Sequence, residues 1–170
     1  MNGKKINMGV LPDLFKKDLK IVFCGTAASN RSAELKAYYA KSGNSFWKIL
    51  HKVGLTPTLF TPDQFKEMLS IKIGLTDISK VGKGMDKDIK KDQFDVIGFR
   101  KKIEEFQPLV LCFNGKKAAK VFFNKSKIVY GLQAQTIGVT RIYVVPSTSG
   151  AARGYWDESY WFELASYISD

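Results

Sequence analysis

Four apolar runs divide the chain: Lys20-Ile21-Val22-Phe23-Cys24, Ile71-Lys72-Ile73-Gly74-Leu75-Thr76, Leu109-Val110-Leu111-Cys112-Phe113 and Arg141-Ile142-Tyr143-Val144-Val145. Their length and their β-branched and aromatic content predict strands. The unbroken run at 109–113 is what a strand buried on both faces of a parallel sheet requires.

Between the runs the apolar period becomes helical. Phe46, Ile49, Leu50 and Val53 fall at i, i+3, i+4 and i+7, and Gly54 follows as a helix stop. Thr61-Pro62-Asp63-Gln64 carries a capping residue, a proline at the first helical position and a Gln that can close a capping box. Phe65, Met68 and Leu69 supply that helix's core face. Phe99, Ile103 and Phe106 mark a helix that Pro108 stops. Ala118, Ala119 and Phe122 mark another, opened by Asn114-Gly115-Lys116-Lys117, and Trp161, Leu164, Ala165 and Ile168 a closing one. Met8-Gly9-Val10-Leu11-Pro12 is expected to pack under the sheet as a lead-in. Lys80–Asp95, rich in Gly, Lys and Asp, is expected to be a surface loop.

Strands alternating with helices predict an α/β fold, a three-layer αβα sandwich around a central, mainly parallel four-stranded sheet. No repeat or linker interrupts it, so residues 1–170 are expected to form a single domain. All strand-to-helix loops of such a sheet emerge at its carboxyl edge, where open α/β folds bind ligands. Gly25–Asn30, Thr76–Lys80, Asn114–Lys117 and Ser147–Arg153 would converge there, each rich in small or polar residues.

Charge adds a partner. Lys and Arg number 27 against 16 Asp and Glu, a net charge of +11. A surface of this kind concentrates polyanions, of which nucleic acid is the commonest, although charge also serves solubility. Five lysines and no acid lie between Asn114 and Lys127, beside the loop edge. Cys24 and Cys112 are the only cysteines and His51 the only histidine, too few for an iron–sulfur or tetrahedral zinc site. Both cysteines sit in apolar runs and are expected to pack in the core. No metal and no cofactor is expected. With no signal-peptide pattern and no apolar run near 18 residues, the chain reads as an intracellular, cytoplasmic, soluble protein without a membrane partner.

Six short elements, in order, resemble one family. Phe23-Cys24-Gly25 is similar to the strand entering the first motif, Gly-Ile-Asn-Pro-Gly, of the uracil-DNA glycosylase superfamily. Gly43-Asn44-Ser45-Phe46-Trp47 resembles its Gly-Asn-x-Phe-Trp helix start, and Gly74-Leu75-Thr76 its Gly-(apolar)-Thr strand end. Phe113-Asn114-Gly115-Lys116 resembles its Phe-Asn-Gly-Lys element, and Tyr130-Gly131-Leu132-Gln133 its Phe-Gly-Leu-Gln segment. Val145-Pro146-Ser147-Thr148-Ser149-Gly150 resembles its second motif. The similarity spans nearly the whole chain and is greatest to the mismatch-specific uracil and thymine DNA glycosylases.

The resemblance implies a repair glycosylase that flips a deaminated or mismatched base (uracil, thymine or hypoxanthine type) out of DNA and hydrolyses its glycosidic bond, acting as a monomer. It implies Tyr39, Thr76 and Asn114 at the base. It implies Lys116, Lys117, Ser147, Thr148, Ser149, Gly150, Ala151 and Arg153 along the DNA. It places the backbone of Gly25, Thr26 and Ala27 at the departing base oxygen. Each has a plainer structural reading: a core aromatic for Tyr39, a turn for the Ser/Thr run, a solvated helix face for the lysines and a surface ion pair for Arg153.

Two departures stand out. The first motif's Asn, which holds the attacking water, falls on Ala27, with its Pro on Ala28 and its second Gly on Ser29. The residue that fills the hole left by a flipped base falls on Ala151, too short to fill one. Asn44 is the candidate to replace the missing Asn, with helix capping as its competing role. Without a wedge, the expected DNA is mismatched, damaged or single-stranded. The alternative is a non-catalytic relative that recognises damage in DNA without excising a base.

Overall fold

The protein is described from a computed structural model, over residues 9–169. Five strands form one sheet: β1 (Ile21–Gly25), β2 (Ile73–Asp77), β3 (Val110–Asn114), β4 (Gly131–Ile137) and β5 (Thr140–Val145), in the order β2-β1-β3-β5-β4. The first three neighbour pairs are parallel, and β4 joins β5 antiparallel at the edge.

Period-two alternation assigns the core. Ile21, Phe23, Ile73, Leu75, Val110, Cys112, Tyr143 and Val145 face one helical layer. That layer comprises α2 (Phe46–Lys52), a 3-10 helix at Pro62–Ile71 and α5 (Ser159–Ser169). Val22, Cys24, Leu111, Phe113, Ile142 and Val144 face the other, made by α3 (Val96–Phe106) and α4 (Lys116–Phe123). Phe23 stacks on Trp161 and meets Phe46 edge-on, centring the first layer on α2 and α5. Cys24 and Cys112 are both free and fully buried, one on each face of the sheet. Burial pushes both thiols up from their ordinary pKa.

The sheet has five strands where four were expected. The extra one, β4, has a largely exposed middle and an irregularity between Leu132 and Thr136, which erase the apolar alternation. Its turn was visible in principle: Gly138, at φ +56°, stands in the two-residue gap between Ile137 and Thr140. Ile71 belongs to the 3-10 helix, not to β2, because Lys72 turns left-handed (φ +63°) and ends that helix. At the helix's start the Gln64 side chain accepts from the Thr61 N–H at 2.9 Å, half of the expected capping box.

The lead-in lies beside the sheet as well as against it. Leu11 and Leu14 are buried in the first layer, and Leu14 exchanges two backbone hydrogen bonds with Leu75, covering the outer edge of β2. Met8, the start of the expected lead-in, is outside the described residues. Among the described residues no helix is long and apolar enough to cross a membrane.

Candidate functional site

The carboxyl ends of β1, β2 and β3 and the loop after β5 enclose a cleft of about 640 Å³, of the size that holds a small organic ligand. Its floor is the exit of β1. Gly25 pairs with Asp77 across β1 and β2. A Cβ at Gly25 would stand 2.7 Å from Asp77 Oδ1 and 3.3 Å from the Tyr39 hydroxyl, so only glycine lets those two groups approach the backbone. The chain after Gly25 is tied down: Ile78 N–H donates to Gly25 O, Ser79 N–H to Thr26 O and Gly84 N–H to Ala28 O, at 2.8–2.9 Å. Thr26 is buried and Ala27 half-buried, both lining the cleft. Ser29 then caps α1 (Asn30–Leu35), accepting from the Ser32 N–H at 3.0 Å.

Asp77 is only 5% exposed yet lines the cleft. Burial pushes its carboxyl up to about 6, against the pull of Lys80 and with Asp13 and Asp86 adding to the rise. Behind it Asp13 gathers three partners. Thr76 Oγ1 donates to it at 2.7 Å, Lys80 Nζ stands 2.8 Å away, and Lys102 pairs with its other oxygen. Burial would raise the Asp13 carboxyl, but the two lysines outweigh that and hold it below the ordinary value. Thr76 is therefore fully buried in this cluster and does not line the cleft. The residue after it does.

Tyr39 has a left-handed backbone (φ +53°), and its ring stacks on Phe46 with centroids 3.9 Å apart. The residue is partly exposed along the cleft while its hydroxyl is buried beside Asn114 without a well-formed hydrogen bond. Burial lifts the phenol well above its ordinary pKa. Asn114 is committed elsewhere: Nδ2 donates to Thr148 Oγ1 at 2.9 Å, and Oδ1 accepts from the Thr148 N–H at 3.1 Å. That clip joins the exits of β3 and β5. Ser45 N–H donates to Thr148 O at 3.0 Å and adds the start of α2 to the same junction. Asn44 lies one residue before the Ser45 cap rather than in the helix. Its Oδ1 accepts from the Phe46 N–H at 3.0 Å, while the residue lines the cleft.

The structure brings Gly25, Thr26, Ala27, Tyr39, Asn44, Asn114, Lys117, Ser147, Thr148, Ser149 and Ala151 together around this cleft. Thr148 is buried, whereas Ser147 and Ser149 are partly exposed, each accepting a backbone N–H two residues on. Lys116, Gly150 and Arg153 do not line it. Lys116 lies over the Tyr130 ring, and the Arg153 guanidinium sits near Gly43 and Gly150 in an adjoining cleft with Lys48 and Lys52. The loop after β2 contributes more than a surface excursion. It holds two 3-10 turns, and Gly84, Met85, Asp86 and Lys87 form one wall of the cleft.

The sequence reading passed over Asp77, Met85 and Tyr155. For Asp77 a signal existed: a carboxylate directly after the Gly-Leu-Thr strand end stands at the carboxyl edge of the sheet. Among the described residues, no three His, Cys, Asp or Glu side chains group as metal ligands.

Comparison with known proteins places this cleft in context. The sequence model of the uracil DNA glycosylase superfamily matches residues 12–167. The fold is similar to the solution NMR structure of a Methanosarcina acetivorans protein described as a candidate uracil DNA glycosylase. The TM-score is 0.65 at 23% identity, over 94% of this chain and 97% of that one.

Proposed function

Because the chain belongs to the uracil DNA glycosylase superfamily, we propose that it is a DNA N-glycosylase whose cleft receives a base extruded from DNA and releases it by hydrolysis. The observation that carries the reading is the floor of the cleft, where Asp77 and the Tyr39 hydroxyl converge on Gly25 beside the exposed end of a parallel sheet.

Hydrolysis of the glycosidic bond develops positive charge on the sugar and negative charge on the base. In this reading the flipped base lies along the exposed part of Tyr39, with Asn44 Nδ2 and the Gly25–Ala27 backbone facing its polar edge. A water accepted by Asp77 attacks C1′. Its oxygen bonds to carbon as the C–N bond breaks, the base leaves with the electron pair, and the water's proton passes to the carboxylate. Asp77 thereby supplies what Ala27 lacks. Extrusion costs least at a mismatch, a lesion or an unpaired site, and the lysines of 116–127 supply phosphate contacts. The protein acts as a monomer in the cytoplasm. Ala27 itself favours a second reading, a relative that binds damaged DNA without cutting.

The test is single-turnover incubation with duplexes and single strands carrying uracil, hypoxanthine or xanthine, and with thymine opposite guanine, followed by detection of abasic sites. Release from at least one substrate is expected. Asn44→Ala should slow it about 10²-fold, the usual loss for one transition-state hydrogen bond. Asn44→Asp keeps an oxygen for the Phe46 N–H and separates capping from chemistry. Ala27→Asn should raise release of uracil. If no substrate yields an abasic site while DNA is bound, the non-catalytic reading takes over.

A further inference from the structure

The position that should fill a DNA duplex after base extrusion is Ala151, whose methyl is too short. Yet the same 3-10 segment, Gly150–Tyr155, ends on a side chain of the opposite kind. Tyr155 is 76% exposed, more than any other large apolar side chain among the described residues, and it lines the cleft together with Ala151 and Ala152. An aromatic ring held out at the rim of the cleft buries little for the fold. Its surroundings are aromatic and basic. Tyr155 and Tyr160 both stand within electrostatic reach of the Tyr130 hydroxyl. The rings of Tyr130 and Tyr160 lie 5.1 Å apart, and Lys116 Nζ caps Tyr130 at 4.2 Å. Tyr130 and Tyr160 are partly buried, and Tyr155 alone of the three is largely exposed to solvent. Aromatics interleaved with cations are how proteins hold unpaired strands, rings stacking on bases while charges follow the phosphates.

Resting on the DNA reading above, we propose that Tyr155 is a stacking platform for the base next to the extruded nucleotide, and that Tyr130 and Lys116 continue this platform as a track for an unpaired DNA strand. A platform differs from a wedge. It needs no partner strand and fills no hole in a duplex, so it selects single-stranded or locally opened DNA. The net charge of +11 supplies the complementary field.

The experiment uses the full chain and a single-stranded oligonucleotide with a tetrahydrofuran abasic site and 2-aminopurine on either side of it, whose fluorescence falls on stacking. The parent is expected to quench the probe and to bind the single strand more tightly than the matched duplex. Tyr155→Ala should abolish the quench and weaken binding about tenfold, from the loss of one base–aromatic stack. Tyr155→Phe should behave as the parent. Val139→Ala alters an exposed side chain in the β4–β5 turn, at the amino end of β5 and outside the cleft, and should leave the quench intact. Parent-like affinity and quench in Tyr155→Ala, or their equal loss in Val139→Ala, overturns the platform while leaving the DNA reading in place. A parent that binds no oligonucleotide overturns that reading, and the platform with it.

Discussion

Asp77 is buried at the end of β2, and none of the ion pairs among the described residues reaches it. An acid whose folded value rises from 3.8 to about 6 keeps its proton in the folded state after the unfolded chain has released its own. Stability therefore falls as pH rises through that window and stays lower above it, a loss of up to about 3 kcal/mol. Asp77→Asn should raise the melting temperature above pH 6, with the difference vanishing near pH 4, and should stop base release. In the parent, release should climb with pH through about 6, since the carboxylate is the form that accepts a proton. A variant that melts and cuts like the parent at neutral pH would remove Asp77 from the mechanism. That Asn44 lines the cleft was legible in the sequence because a motif carries it, and that Tyr39 does so only through the family resemblance. The position of Asp77 at the carboxyl edge could be read from the strand end before it, but its approach to Gly25 could not, because that depends on the register of β2 against β1.

The Asn114–Thr148 clip ties two loops that arrive from β3 and β5, and Trp161 Nε1 of α5 secures the second by donating to Pro146 O at 3.1 Å. Asn114→Ala would leave the buried Thr148 N–H and hydroxyl without these partners, a cost of about 1–3 kcal/mol. It should also weaken DNA binding by loosening both walls. Thr148→Ser retains the hydroxyl and should keep most of the stability. Thermal melting alongside DNA titration separates the two effects, and equal stability in Asn114→Ala would show that the clip is dispensable. The parallel strands and long helices were legible because their periodicity follows burial. Two elements were not. The six-residue α1 is too short for a helical period, and β4 is an edge strand whose exposure removes the alternation.

Excess positive charge is a property of the whole surface, and its effect on DNA binding should be read as a salt dependence. Affinity is expected to drop steeply from low to moderate salt as each contacted phosphate regains its counterions; an anisotropy titration that stays flat over that range would speak against a DNA-facing basic surface. The parallel architecture was foreseeable from the alternation of elements, but the strand order was not, since local patterns do not say which strand lies beside which. That order has a further use. Phe23 pairs with Cys112 and Cys24 with Phe113, so the two cysteines on adjacent central strands point to opposite sides of the sheet and cannot join in a disulfide without rebuilding it. Each thiol is sealed under a different helical layer. A thiol-reactive reagent therefore finds nothing to modify until a layer lifts, and the mass added at each cysteine records which layer lifted and when. Equal labelling rates at the two sites would mean that the sandwich opens as one cooperative unit.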